Sequence, residues 1–294
     1  MSLNRLLAAG VMMLFLLTTT SVYAQSSRVV TFGADLTLAQ QQSMLKVFGI
    51  SPDTAIPRQQ VTISEERHYL KGLIPDQVIG NKSISSVSVE LLPAGQGLTT
   101  QVHNITWVTA DMYSNALATA GVKDARIIAA APFPVSGTAA LTGIMKAFET
   151  ASGTKLSEER KKAASEELVR TGELGQQLQN KEQAAKLIML IKQQVVKEGL
   201  NDPEAIKAVV SQTANQLQIN LSPQQVDTIV TLMLRLSRTN INLEEMNKQL
   251  AGLQEKWNVL VAKEEEARGI LESIWTALAD FFETLMNKIR AIFG

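Results

Sequence analysis

The 294-residue sequence has no cysteine, only two histidines, and 5% aromatic residues. Without cysteine there are no disulfides, thiolate metal ligands or thiol nucleophiles, so the fold must be stabilised by core packing. His68 and His103 cannot complete a three-histidine zinc site within one chain. The sequence therefore predicts no metal and no cofactor.

An excess of charge of either sign is also missing. Lysine plus arginine and aspartate plus glutamate both total 28, which gives a net charge of zero. Nucleic-acid binding depends on a basic surface and, for single strands, on aromatic side chains that stack on bases. Both are scarce here, so nucleic acid is excluded as a predicted partner.

Residues 1–24 have the three parts of a secretory signal peptide. Arg5 gives the positive start, residues 6–17 form the apolar middle, and Val22, Tyr23 and Ala24 provide a cleavage site. The apolar middle is well short of the roughly 20 residues that span a bilayer, which disfavours the alternative of a retained anchor. We therefore predict cleavage near Ala24 and a secreted or cell-envelope protein.

Residues 124–148 form the stretch around which the first half is organised. The run Ala125–Ala131 is continuously apolar, as in a strand buried on both faces, and Pro132 and Pro134 are expected to end it. Ser136 is then the predicted N-cap of a helix whose apolar side chains recur at helical spacing.

Two further strands are predicted before this stretch. Residues 83–92 and 98–107 surround a Pro- and Gly-containing turn, which favours a β-hairpin. Thr109 can cap a helix that runs to Ala120, and Gly121 fits the position after its end. A strand, a short helix and a buried strand in succession predict a parallel crossover.

Three predicted strands run directly into capped helices, at residues 33–37, 107–109 and 133–138. If these strands are parallel, the helix N-termini converge at one edge of the sheet, where open α/β sheets bind ligands and where anions or carboxylates are favoured. The candidate ligand-binding residues are Asp35, Thr109, Ser136, Gly137 and Thr138. Ordinary helix capping also explains these residue types, so both interpretations stay open.

A serine hydrolase is the alternative from a different class. Ser136 would be the nucleophile, with His103 and Asp111, or with Lys146, as its partners. Ser136 lacks the G-x-S-x-G motif, and Lys146 lies ten residues along the same helix, about 15 Å away. We therefore assign no catalytic residue and favour a non-enzymatic binding module.

The composition changes after Gly153, where helix-forming residues replace strands and turns. Ser157 is predicted to cap a charged, solvated helix, and Asp202 and Ser222 each precede a proline at the first helical position. The predicted fold class is α+β: a mixed α/β sheet domain over residues 28–150 and an all-helical domain over residues 155–294.

Residues 243–292 carry apolar side chains alternately three and four positions apart, as in a coiled coil. This predicts one long amphipathic helix, or two, packed internally or against a second chain. Binding of its last 25 residues to a membrane surface is a further alternative. It is not favoured, because Glu272, Asp280 and Glu283 outnumber Lys288 and Arg290.

Three long motifs resemble one protein family: VVTFGADLT, HYLKGLIPDQVIGNKSISSVSVE, and the stretch HNITWVTADMYSNALATAGVKDARIIAAAPFPVSGTAALTGIM. They are similar to the YpuA-like family of predicted secreted proteins, domain of unknown function 1002. The resemblance implies an exported protein of Gram-positive type with an α/β first half and a helical second half. It implies no activity and adds no catalytic residue.

Overall fold

A computed structural model describes residues 27–239, 244–246, 248, 249, 253 and 255. The strands are β1 (Arg28–Gly33), β2 (Arg58–Val61), β3 (Ser86–Leu91), β4 (Leu98–Ile105) and β5 (Ala125–Val135). The helices are α1 (Leu38–Val47), α2 (Ile63–Leu70), α3 (Asp76–Ile79), α4 (Ala110–Ala120), α5 (Thr138–Ser152), α6 (Glu158–Gln177), α7 (Lys181–Glu198), α8 (Pro203–Gln216) and α9 (Pro223–Arg238). This order confirms the α+β fold class.

The strands form one mixed sheet in the order β2-β1-β3-β5-β4. β3 is antiparallel to both of its neighbours, whereas β1 and β2 are parallel to each other and β4 is parallel to β5. Strands β1, β2, β4 and β5 therefore all point the same way. Their carboxyl ends lie at one edge of the sheet.

The predicted hairpin between β3 and β4 is wrong, because β5 lies between these strands. Ala129 of β5 pairs with Val87 of β3 on one side and with Val102 of β4 on the other. The apolar β5 takes the protected central position, and the half-exposed β4 takes the edge. The parallel crossover from β4 through α4 to β5 is confirmed.

The prolines do not end β5, contrary to prediction. The strand continues to Val135, but its register with β4 jumps from His103 opposite Ala130 to Ile105 opposite Val135. Asn104 lies at the jump with φ of 55°. A bulge tolerates Pro132 and Pro134 because its residues do not have to donate hydrogen bonds to the ladder.

Helices cover both faces of the sheet. α1 packs on one face in a core that contains Val30, Phe32 and Phe48. α4 and α5 cover the other face, and the core there continues into α6 and α7, with Leu141 and Leu168 among its members. These helices leave open the edge of the sheet at which β1, β4 and β5 end.

Helix α6 is only partly solvated, contrary to prediction, because Lys161, Glu166 and Glu167 are buried and paired. Glu167 and Lys192 are fully buried, with 2.6 Å between Lys192 Nζ and Glu167 Oε1. Lys192 Nζ also donates to the backbone oxygen of Asn115 at 2.7 Å. Burial lowers the pKa of Lys192, and the neighbouring Glu167 opposes this shift. The ion pair therefore joins α4, α6 and α7 in the interior.

The predicted caps of the second half are confirmed: Ser157, Asp202 and Ser222 each accept a backbone N–H in the first turn of their helix. The predicted signal peptide and most of the predicted heptad helix lie outside the described residues. The domain boundaries stay predictions. No described helix combines the length and the apolar character needed to cross a membrane.

Candidate functional site

A cleft of about 940 Å³ opens at the edge where β1, β4 and β5 end. Asp35, Ser136 and Thr138 of the predicted ligand-binding set line this cleft together. Its apolar wall includes Trp107 and Phe133. Other lining residues carry polar side chains: Thr37, Gln40, Glu66, Asn81, Lys82, Ser85, Thr106 and Gln176.

Thr109 and Gly137 are not among the residues that line the cleft. The Thr109 hydroxyl accepts a hydrogen bond from the backbone N–H of Met112 at 3.3 Å, so Thr109 caps α4 as predicted. Gly121, in the left-handed conformation, ends that helix. Thr109 therefore acts as a helix cap, and the structure does not place it in the cleft.

Asp35 connects two loops at the rim of the cleft. Its carboxylate oxygen Oδ2 accepts from the backbone N–H of Ser83 at 2.7 Å, and its own N–H donates to the Ser83 carbonyl at 3.1 Å. The loops approach so closely that a Cβ atom on Gly33 would lie 2.3 Å from the Ser83 oxygen. Asp35 thus holds the end of β1 against the segment that leads into β3.

Ser136 is not the N-cap of α5, contrary to prediction. Gly137 occupies that position with φ of 95°, and no side chain caps the helix. Only glycine fits, because a Cβ atom at this position would lie 2.4 Å from Cγ2 of Ile105. Tyr113 donates its hydroxyl proton to the Gly137 carbonyl at 2.5 Å and fixes this conformation. The first turn of α5 therefore starts in the cleft with backbone N–H groups that no side chain satisfies.

Glu66 of α2 is the residue that the sequence analysis missed. It is 1% exposed, and its Oε1 accepts a hydrogen bond from the Thr138 hydroxyl at 2.5 Å. Its Oε2 is buried and has no hydrogen-bond partner among the described residues. Burial raises the pKa of Glu66 to about 7, although the Thr138 hydrogen bond and the charge of Arg67 act in the opposite direction. The cleft is thus built over a carboxyl group that is partly protonated near neutral pH.

The sequence contained a signal for Glu66. α2 begins at Ile63, after a capping box between Thr62 and Glu65. Ile63, Glu66 and Leu70 are spaced as neighbours on one helix face. With the helix starting at Ile63, this spacing places a glutamate on the apolar side of α2.

The residues considered for a hydrolase do not meet at Ser136. The Ser136 hydroxyl lies 3.2 Å from the Thr138 hydroxyl. Lys146 Nζ donates to the Gln60 carbonyl and to Glu65. His103 is exposed on β4, and Asp111 lies in the first turn of α4, where burial and Glu182 raise its pKa. Within the described ranges, no cluster of three histidine, aspartate or glutamate side chains could hold a metal ion.

Comparison with known proteins agrees with the resemblance in the motifs. Residues 32–253 match the family described as "Protein of unknown function (DUF1002)". The chain is 39% identical over 266 residues to "Uncharacterized protein YpuA" of Bacillus subtilis (strain 168), an alignment that covers 90% of this chain and 89% of that protein. No solved structure matches the chain. The chain belongs to the DUF1002 family.

Proposed function

We propose that this chain is an exported binding protein whose cleft accepts a small ligand bearing a carboxylate or a similar anion. The observation that carries this proposal is the N-terminus of α5, which starts in the cleft without a side-chain cap. Backbone N–H groups without a side-chain cap and the helix dipole favour a negative group at this position, although the Ala140 N–H already donates to the Gly137 carbonyl at 3.1 Å.

Two further features support an anionic ligand. The hydroxyl groups of Ser136 and Thr138 flank the start of α5 and can contribute hydrogen bonds. Lys82 is an exposed cation on the wall of the same cleft and has no ion-pair partner in the part of the chain that the structure describes. Trp107 and Phe133 supply apolar contacts for the rest of the ligand.

Calorimetric titration with N-acetylglycine at pH 6 tests the proposal, with N-acetylglycinamide as the uncharged counterpart. We expect the acid to bind and the amide to bind at least about tenfold more weakly, since a charge-assisted contact contributes about 1.4 kcal/mol or more. Lys82→Gln should weaken binding of the acid, whereas Lys46→Gln, on α1 outside the cleft, should not. Equal binding of the acid and the amide would contradict the proposed anion-binding function.

Export is a separate part of the proposal and rests on residues 1–24. Expression of the full chain in a Gram-positive host, followed by N-terminal sequencing of the protein in the medium and the envelope, tests it. We expect a mature chain that begins at Gln25. A chain found only inside the cell with its first residues intact would contradict export.

We also propose that residues 243–292 mediate self-association, on the basis of their heptad pattern. Light scattering coupled to gel filtration tests this with the full chain and with a Leu271→Lys, Leu278→Lys double variant. We expect the wild-type chain to be an oligomer and the variant to be a monomer. A monomeric wild-type chain would contradict self-association and would leave internal packing as the role of the heptad pattern.

A further inference from the structure

Three oxygen-bearing side chains form a continuous series from the cleft into the protein. The Ser136 hydroxyl lies 3.2 Å from the Thr138 hydroxyl, which lies 2.5 Å from Oε1 of Glu66. Each hydroxyl has one proton to donate. The direction of donation along the series is therefore set at its inner end, by whether Glu66 carries a proton.

The two directions present different groups to the cleft. With Glu66 ionised, Thr138 donates to Glu66 and Ser136 donates to Thr138, so that Ser136 offers only lone pairs to a ligand. With Glu66 protonated, the carboxyl group donates to Thr138, Thr138 donates to Ser136, and Ser136 has its proton free for the ligand. Protonation also removes a negative charge from beneath the start of α5, where a ligand anion would lie.

Most of the other charged and titratable groups around Glu66 have partners of their own; Asp76 and Lys82 are given only by their positions. Arg67 donates to the Gly80 carbonyl and to Asn81, and Tyr113 of α4 donates to the Gly137 carbonyl. On the helices packed against α2, Lys146 of α5 pairs with Glu65, and Lys161 of α6 pairs with Glu149 and Glu158. Asp76 lies in the first turn of α3, the third helix packed against α2. At the cleft itself, Asp35 accepts from Ser83, and Lys82 lies on the wall.

We propose, as an inference that rests on the proposed function, that a ligand carboxylate binds in this cleft together with one proton. Glu66 takes up this proton from solvent. The proton resides on Oε1 of Glu66, and the hydroxyl protons of Thr138 and Ser136 reorient so that Ser136 donates to the carboxylate. No bond other than these hydrogen bonds is made or broken. The ligand class is therefore a carboxylate that binds most tightly under mildly acidic conditions.

The chemistry of Glu66 is compatible with this coupling. Its Oε2 has no hydrogen-bond partner among the described residues, so no second donor holds the carboxyl group in its ionised form. Burial also raises its pKa to about 7, which places the exchange of its proton within the ordinary pH range.

Calorimetric titration of the full mature chain with N-acetylglycine, whose carboxyl group stays ionised throughout, tests the coupling at pH 6 and pH 8. Binding at pH 8 should be about tenfold weaker than at pH 6. At pH 8, about one unit above the pKa of Glu66, the protonated fraction of Glu66 is about tenfold smaller than at pH 6. In Tris and Hepes buffers at pH 8, the difference in binding heat should correspond to the uptake of about one proton.

Two single substitutions make the test specific. Glu66→Gln places a neutral donor of the same shape beside Thr138, so the variant should bind equally at pH 6 and pH 8 and take up no proton. Glu65→Gln is the matched control: Glu65 is the preceding residue but pairs with Lys146, so the pH dependence should persist.

A third variant tests the middle of the series. Thr138→Val preserves the shape of the side chain and removes the hydroxyl, so binding at pH 6 should weaken towards the value at pH 8. The thermal unfolding midpoint of each variant at pH 6 verifies that it is folded.

The outcomes separate the inference from the proposed function. Binding with equal affinity at both pH values, or a pH dependence that survives in Glu66→Gln, would overturn the coupling and leave the anion-binding cleft intact. Absence of binding at pH 6 as well as pH 8 would overturn the proposed function itself.

Discussion

Glu66 is a carboxyl group kept in the interior with one hydrogen bond, and this has a consequence for stability. Its pKa of about 7, against an ordinary value of 4.5, means that the native protein holds this proton more tightly than the unfolded chain does. The contribution of Glu66 to the free energy of unfolding is therefore greatest below pH 4.5 and is lost as the pH rises through 7.

We expect Glu66→Gln to be more stable than the wild-type protein at pH 8, by up to about 3 kcal/mol, because each unit of pKa shift corresponds to about 1.4 kcal/mol. At pH 4 the two proteins should differ little. Urea unfolding at both pH values measures this difference. A variant less stable than wild type at pH 8 would show that the ionised form of Glu66 is stabilised in the native state.

The buried pair of Lys192 and Glu167 gives a second prediction. Lys192→Met leaves Glu167 charged and unpaired in the interior, and such changes cost about 3–5 kcal/mol. Arg170→Met, which breaks a half-exposed pair with Glu173 on α6, should cost about 0.5 kcal/mol or less. Urea unfolding compares them. The addition of Glu167→Leu to Lys192→Met should restore stability; a further loss would contradict a shared ion pair.

At the scale of single residues, the sequence predicts local roles better than distant partners. The caps at Thr109, Ser157 and Ser222 follow from a hydroxyl placed before a helix, and each was predicted. The partner of Glu167 lies 25 residues away on another helix. Charge composition alone therefore suggested a solvated α6, since the partner becomes evident only when α6 and α7 are packed together.

Among the elements, the junction of β5 and α5 determines the shape of the cleft. Gly137 has φ of 95°, and a Cβ atom there would lie 2.6 Å from the Tyr113 hydroxyl oxygen as well as against Ile105. Gly72 has φ of 84° but has no atom within 4 Å of such a Cβ. The two glycines thus share a backbone conformation and differ in their surroundings.

We expect Gly137→Ala to reduce the free energy of unfolding by more than Gly72→Ala does. Gly72→Ala should reduce it by only about 1 kcal/mol, the backbone cost of a residue other than glycine at positive φ. Gly137→Ala should also weaken binding of N-acetylglycine, because the start of α5 has to shift. Urea unfolding and calorimetry measure these effects. Equal losses of stability in the two variants would show that contacts with Tyr113 and Ile105 do not constrain the junction.

The order of the strands shows where prediction from local pattern ends. Residues 83–107 have the alternation and the turn of a hairpin, and nothing within them indicates that a later strand will enter between the two arms. β5 does so because it is the most apolar strand and gains most from a central position. The convergence of β1, β4 and β5 at one edge was predicted only on the condition that these strands are parallel, and the sheet meets that condition.

For the molecule as a whole, the cleft is the place where strand order, helix caps and a buried carboxyl group come together. Asp35, Ser136 and Thr138 were predicted to lie at one edge from their positions after strands, and the structure places them in one cleft. Glu66 belongs to α2, a helix between β2 and β3 in the sequence. Its part in the cleft depends on the packing of α2 against α5 and required the three-dimensional structure.

Backbone amide NMR of residues 25–294, titrated with N-acetylglycine at pH 6, tests most directly whether this cleft is the ligand site. We predict that the largest shifts occur at Thr138, Ala139 and Ala140, in the first turn of α5, with smaller shifts at Lys82 and Ser85 on the wall of the cleft. Shifts confined to another surface, such as the groove between α6 and α9 at Arg170 and Thr228, would contradict the proposed site.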